Sequence, residues 1–403
     1  MTITQTDAGL DDLDLLDPEF YRSNPQETWA ALLAQPGLVQ DRNGLWAVAH
    51  HSHLHEAERR NEDFLSGPGY RALMSPDENN MIALDDPEHL RQRRLVSGRF
   101  TPQAVRRHED WLRSTVTELL DGAAESAAGE GRGEMEVIDD LAAQLPCRLT
   151  ARLLGFPEDR WRDIKTWSEA LMRIDAVESD QAAALGLFNA IVGFNEVLQP
   201  LAELRRSEPA DDLISVWANA NVDGFSYDAV RLYHEVGLFI AGGAETTRTA
   251  ISHGLRAFCD HPDQWEYLAE HPEGVPAAVE EVVRWVTPLN NFFRNAARDT
   301  SLAGSHLGQG ERLVLLYPAA NRDPEVFEEP GRFDVTRSPN PHLGFGQGTH
   351  FCLGANLARY ELAILFEELT KRITELEPLT EPDVEPNMFA RAVRSFRLGF
   401  ALR

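Results

Sequence analysis

Three glycines around a single thiol constrain this chain more than any other feature. Residues 345–359 read Phe-Gly-Gln-Gly-Thr-His-Phe-Cys-Leu-Gly-Ala-Asn-Leu-Ala-Arg, with Gly346, Gly348 and Gly354 around Cys352 and a helix-forming run, 355–369, directly after. Glycine lets a backbone turn tightly and lie close against a flat surface. A thiol just ahead of a helix N-terminus meets unpaired N–H groups and the positive end of the helix dipole, which favour a thiolate.

Taken alone, a solitary cysteine is more often a buried structural thiol, because free Cys is among the most buried residue types. The glycine spacing overturns that expectation. A thiolate in a Gly-rich loop with an aromatic nearby suits an axial ligand to haem iron. Phe345-Gly346-x-Gly348-x-His350-x-Cys352-x-Gly354 resembles, without a departure, the haem-binding signature of the cytochrome P450 monooxygenases. The resemblance implies haem b as cofactor, Cys352 as the iron ligand, and Phe345 and Gly346 against the cofactor. It also implies a mainly α fold with small β-sheets (α+β), a triangular helical prism around one haem.

No linker, repeat or low-complexity tract divides the 403 residues, so one domain over 18–403 is expected after a flexible acidic N-terminus, 1–17. The Ala/Gly/Glu stretch 123–133 is also disorder-prone. A net charge of −27 argues against nucleic acid and anionic membrane as partners. Cys147, Cys259 and Cys352 lie too far apart for a disulfide framework or a zinc ribbon, which suits a reducing cytoplasm. The N-terminus has no basic region and no apolar run, so a soluble, cytoplasmic monomer with no signal peptide or membrane anchor is expected.

Along the chain, 45–48 reads as a short strand. The His-rich run His50, His51, His53 and His55 follows, with no metal-ligand spacing, and reads as a solvated strand-to-helix corner. Residues 66–80 form a long Gly/Pro/Asn-rich loop, more often a binding element than a defect. His89 and Arg93 then share one helix face at i,i+4. On residue grounds this is a solvated basic face. The resemblance makes both of them haem-propionate ligands, together with Arg294 and His342. Residues 101–221 are nearly all helical.

A long helix over about 227–258 carries Ala241-Gly242-Gly243-Ala244-Glu245-Thr246-Thr247 at its centre. Adjacent glycines cost about 1 kcal/mol each against Ala in a helix, and a mid-helix Thr can bond its i−4 carbonyl and bend the axis. The run resembles the family's oxygen-binding helix, in which Glu245 and Thr246 would relay protons. Glu281 and Arg284 resemble a Glu-x-x-Arg structural lock, whose third partner would be Arg332. A strand pair is expected over 302–316 and a terminal hairpin over 387–402.

The positions that align with pocket walls in the family are Ile82, Leu238, Ala241, Gly242, Leu289, Asn290, Phe292 and Phe389. All but Asn290 are apolar, so the expected substrate is a small molecule that is largely apolar, and the Asn290 amide would bond its hydroxyl or carbonyl. The motifs look most like those of actinobacterial enzymes oxidising steroids or other lipids. The resemblance implies oxygen insertion from O2, with electrons from NAD(P)H through ferredoxin reductase and ferredoxin. A peroxide-driven peroxygenase and a non-turnover haem-thiolate sensor or carrier are the rivals. The Glu245-Thr246 pair argues against both. Arg91, Arg94, Arg99, Arg106 and Arg107 are either a solvated Arg-rich face or a ferredoxin dock.

Overall fold

The computed structural model describes residues 10–74, 78–125, 131–221 and 224–403. Its spine is the helix Ala229–Asp260, which starts where the Asp228 carboxylate accepts the Arg231 N–H at 2.7 Å. Val236, Ile240, Ala244, Ile251, Leu255 and Phe258 recur at three-, four- and seven-residue spacing on one helix face and are all buried. They join one large core with Leu149, Phe194, Val282, Leu362 and Phe366 from four other helices. At Gly254 an added Cβ would lie 3.0 Å from Val282 Cγ1, so glycine sets how closely the spine crosses the helix Val275–Val286.

Small sheets accompany the helices, as the mainly α reading expects, and Met135, Ile373, Leu398 and Phe400 of one of them belong to the same core. The largest has the order Val39–Gln40, Trp46–Val48, Arg312–Leu316, Asn291–Ala296, Phe64–Leu65. Trp46–Val48 pairs parallel with Arg312–Leu316, with Trp46 opposite Leu313, and the remaining pairs are antiparallel. Arg397–Leu402 joins Arg132–Glu136 and Ile373–Pro378 in a second sheet. Thr300–Leu302 and Ser305–Leu307 form a separate hairpin.

Several expectations about the periphery need correction. The N-terminal segment 1–17 was expected to be flexible. Residues 1–9 lie outside the described residues, but Leu13 and Leu15 are buried in a core cluster with Trp29 and Leu45. The Leu15 N–H donates to Asp41 and the Arg42 N–H to the Leu13 carbonyl, so two apolar side chains and two hydrogen bonds hold an acidic segment down. In the stretch 123–133, helix continues to Glu125 and a strand begins at Arg132, while 126–130 lie outside the described residues. The histidine corner is only partly solvated. His50 is buried, with Nε2 on the Gln35 carbonyl and Nδ1 facing Asp323, which also accepts the His51 N–H.

The terminal hairpin expected over 387–402 does not form within that range: Arg397–Leu402 pairs instead with Arg132–Glu136 and Ile373–Pro378. Isolated bridges of Val384 with Val393 and Leu289 with Ala390 bring residues 387–390 back against the strand that begins at Asn291.

Candidate active site

Cys352 lies between the 3-10 turn Gly348–His350 and the helix Ala355–Arg372. Gly346 (φ 67°) and Gly348 (φ 69°) take the left-handed conformation that side chains resist. A Cβ on Gly348 would stand 2.2 Å from the Glu58 carbonyl oxygen, so only glycine lets this loop lie on the helix His51–Arg59. The Cys352 N–H closes the loop on the Phe345 carbonyl at 2.8 Å.

Burial pushes the Cys352 thiol up, while the Gly354 and Ala355 N–H groups and the charges of Arg93 and Arg359 draw it down. The sulfur therefore has a thiolate-stabilising set of donors in a place water does not reach well, which suits a bond to a cationic metal. Phe345 is held by the Arg359 guanidinium 4.4 Å from its ring. Arg359 in turn binds Glu280 through Nε and Nη2, at 2.6 and 2.8 Å.

A group of cationic and imidazole side chains gathers on the same side of the loop. Arg93 donates to the Phe351 carbonyl at 2.6 Å and Arg294 to the Phe293 carbonyl at 2.9 Å. Neither forms an ion pair with a carboxylate among the described residues. The His89 and His350 rings lie 4.2 Å apart. His89 Nδ1 faces Asp86 and Thr349, while its Nε2 is buried with no partner. Burial pushes both imidazoles below their ordinary range, and neighbouring arginines push the same way. Buried cations and an orphaned ring nitrogen fit an anionic group such as the carboxylates of haem.

His342, expected in this set, is committed elsewhere. Its Nε2 faces Glu280 at 3.0 Å and its Nδ1 accepts the Gly344 N–H. With Arg359 and His342 beside it, the Glu280 carboxyl falls to about 2, so His342 anchors the loop and leaves no nitrogen for a propionate. His350 sits with His89, Arg93 and Arg294 instead. Sequence reasoning quoted His350 within the glycine pattern and gave it no role, although its place two residues before Cys352 was the available signal.

The long helix runs unbroken through Gly242-Gly243. Gly242 has nothing within 4 Å of the place its Cβ would take, whereas a Cβ on Gly243 would meet Thr150 Oγ1 at 2.7 Å. One glycine leaves room and the other permits packing. Thr246 Oγ1 donates to the Gly242 carbonyl at 2.8 Å. Glu245 is buried and paired with Arg248, which also binds Glu169 at 2.5 Å. Lys165 then bridges Glu169 and the exposed Asp139. Burial pushes the Glu245 carboxyl up and Arg248 pulls it down. Sequence reasoning gave a role to Glu245 but none to Arg248, one turn on, or to Glu169 and Lys165 on another helix.

Of the eight pocket positions, Ala241, Leu289, Phe292 and Phe389 gather in one apolar cluster with Met172 and Ala390. Phe292 and Phe389 meet edge to face at 5.1 Å. Gly242 lies next to this cluster in sequence, Leu238 packs against the large core, and Ile82 sits in the turn Met81–Ala83. The Asn290 side chain is held within the chain. Its Nδ2 donates to the Asn387 and Met388 carbonyls and its N–H to Phe389, so it ties the tail to the pocket wall.

The Glu281–Arg284 lock is fully buried, with two hydrogen bonds of 2.7 Å. Arg332 is not its third partner. The Arg332 side chain is exposed and paired with Glu329, and only its carbonyl accepts from Arg284. Arg337 Nε reaches Glu281 at 3.1 Å in its place.

A family model described as Cytochrome P450 matches residues 273–396. Steroid C26-monooxygenase from Mycobacterium tuberculosis (strain ATCC 25618 / H37Rv) is 36% identical over 380 residues, covering 93% of each chain. Mycobacterium marinum cytochrome P450 CYP268A2, solved in complex with pseudoionone, superposes with a TM-score of 0.88 at 33% identity over 98% of this chain and 100% of the other. CYP109E1 from Bacillus megaterium, solved in complex with testosterone, superposes with a TM-score of 0.84 at 27% identity over 94% of this chain and 98% of the other.

Proposed function

This chain belongs to the cytochrome P450 family, and from that premise we propose that it hydroxylates or oxidatively dealkylates a steroid or a similarly bulky, apolar molecule. It is a monooxygenase and its cofactor is haem b, which when bound activates O2 so that one atom enters the substrate and the other leaves as water. Cys352 would hold the iron. His89, Arg93, Arg294 and His350 would neutralise the propionates, with Phe345 and Gly346 against the ring. Thr246 would hold a proton at Oγ1 beside the space that Gly242 leaves open. Glu245 would pass protons inward, in line with the charged series Arg248, Glu169, Lys165 and Asp139. Electrons would come from NAD(P)H through ferredoxin reductase and ferredoxin to a cytoplasmic monomer.

The observation that carries the substrate reading is the apolar cluster of Met172, Ala241, Leu289, Phe292, Phe389 and Ala390. Such a surface binds by removing apolar area from water, at ~25 cal/mol per Å². With the Asn290 amide spent on the tail, the binding rests all the more on shape and apolar area. Steroids, terpenoids, fatty acids and benzoates titrated into the ferric holoprotein test this. Tight Soret shifts are expected with steroids or terpenoids, and shifts confined to benzoates would refute it. Product formed in step with NAD(P)H in the presence of ferredoxin and its reductase separates a monooxygenase from a peroxygenase or a carrier.

A further inference from the structure

Glu58 is a buried acid for which the oxygen chemistry has no use. It lies on the helix His51–Arg59 and is 5% exposed. Its Oε1 accepts the Tyr317 hydroxyl at 2.6 Å, and its Oε2 is buried with no hydrogen-bond partner. The cysteine loop rests on this residue. A Cβ on Gly346 would stand 3.1 Å from Glu58 Oε1, as one on Gly348 would strike the Glu58 carbonyl. The charged and titratable groups facing the carboxyl are Arg294 from the strand Asn291–Ala296 and Tyr317 from the short helix Tyr317–Ala320, with the Gln347 N–H also drawing the carboxyl down. His350 lies beyond, within reach of the Arg294 charge.

We propose that Glu58 shares Arg294 with a haem propionate and takes up a proton when the haem iron is reduced. Arg294 has no carboxylate ion pair among the described residues, so the Glu58 carboxylate and a propionate would divide one cation between them. Reduction adds one electron to the haem and removes one positive charge from the neighbourhood. The electrostatic cost of an ionised Glu58 then rises, and a proton from solvent offsets it on Oε2, the oxygen with no partner. The acid already stands where a small change in field decides its state: burial pushes its carboxyl up to about 7, against the pull of Arg294, Tyr317 and Gln347. Glu58 is thus a positioning residue for electron uptake, acting through Arg294 and the loop rather than by touching oxygen or substrate.

The proposal rests on haem being bound, which the Soret band of the purified holoprotein establishes beforehand, and it is independent of the substrate reading. The test is the ferric–ferrous potential of the substrate-free holoprotein, followed by spectroelectrochemistry from about pH 5.5 to about pH 9. The wild-type potential is expected to fall with rising pH through an inflection near neutrality. Glu58→Gln should flatten that region and leave the potential above wild type at alkaline pH. Tyr317→Phe, which removes the hydroxyl that favours the carboxylate, should move the inflection to higher pH. A pH-independent wild-type potential, or an unchanged slope in Glu58→Gln, overturns the proposal. Should Glu58→Gln fail to retain haem, Tyr317→Phe decides alone, and an unmoved inflection refutes it.

Discussion

Glu245 is turned into the protein to pair with Arg248, while Thr246, the next residue, keeps its hydroxyl on the Gly242 carbonyl. The two groups of the proposed proton relay thus face different surroundings, one a buried ion-pair series and the other the open side of the helix. Thr246→Ala is expected to leave haem and substrate binding intact and to divert NAD(P)H electrons to peroxide. Glu245→Gln should slow turnover by about 10²-fold, the low end of the usual ~10²–10⁴ range for a proton-transfer group, with little added peroxide. Peroxide yield and product per NAD(P)H distinguish them. Unchanged coupling in Thr246→Ala would remove it from the relay.

Cys352→Ala should abolish the strongly red-shifted Soret band of the reduced carbon monoxide complex. The loop conformation rests on Gly346, Gly348 and the bond from the Cys352 N–H to Phe345, all of which survive the substitution. A retained band would assign the iron to another ligand.

The cysteine loop and the long helix were legible because their requirements are local. Glycines at fixed offsets from one thiol, and Gly-Gly followed by Glu-Thr, leave a mark on consecutive residues. Partners brought by the fold leave no such mark. Arg337 rather than Arg332 completes the Glu281 lock, and the spacing of Pro330-Gly331-Arg332 gave no hint that the chain would turn Arg332 outward onto Glu329. His342 and His350 were equally plausible propionate ligands by type. In the fold it is His342 that Glu280, on another helix, takes up. Asn290 looked like a ligand's hydrogen-bond partner until the tail carbonyls of Asn387 and Met388 came within reach. The packing of Leu13 and Leu15 was hidden by the surrounding acids.

The lock makes a prediction about stability. Glu281 is buried and accepts from Arg284, Arg337, Asn340 and the Asp334 N–H. Arg337→Ala leaves that carboxylate short of one cationic donor in a site closed to water, at a cost of about 2 kcal/mol. Arg332→Ala removes only an exposed pair and should leave the denaturation midpoint at the wild-type value. Equal losses in the two variants would contradict the assignment.

Glu361 predicts the pH dependence of folding. It is buried on the helix Ala355–Arg372, its Oε1 has no partner, and burial pushes its carboxyl up to about 8. An unfolded glutamate titrates near ~4.3. Below that value both states hold the proton and the residue costs nothing extra. As pH rises, the unfolded chain releases the proton while the folded chain keeps it, so stability falls until the pH passes the folded value. Each pH unit of that window costs at most ~1.4 kcal/mol. Glu361→Gln should therefore match wild type near pH 4.5 and exceed it by up to ~3 kcal/mol near neutrality. Urea midpoints at the two pH values measure this, and a gain independent of pH would show that the carboxyl does not carry it.

The last prediction concerns the electron donor. The chain carries a net charge of −27, yet Arg91, Arg94, Arg106 and Arg107 are all exposed on and just after the helix Glu88–Ser97. Arg91 has a 3.9 Å contact with Glu88 and lies 5.7 Å over the Phe225 ring, and Arg99 is held by Asp211. The same helix supplies Arg93, whose Nη2 bonds the Phe351 carbonyl next to Cys352, which sets the helix against the cysteine loop. An acidic ferredoxin approaching here would be steered by charge despite the overall repulsion, since only charges within about 10 Å act at ordinary ionic strength. Charge reversal at Arg91 and Arg94 should slow ferredoxin-dependent reduction at low salt by tenfold or more, with the gap to wild type closing as salt is added. Reduction by dithionite, which needs no docking, should be unchanged. If ferredoxin reduced the double variant at the wild-type rate at low salt, the arginines would be a solvated helix face and the dock would lie elsewhere.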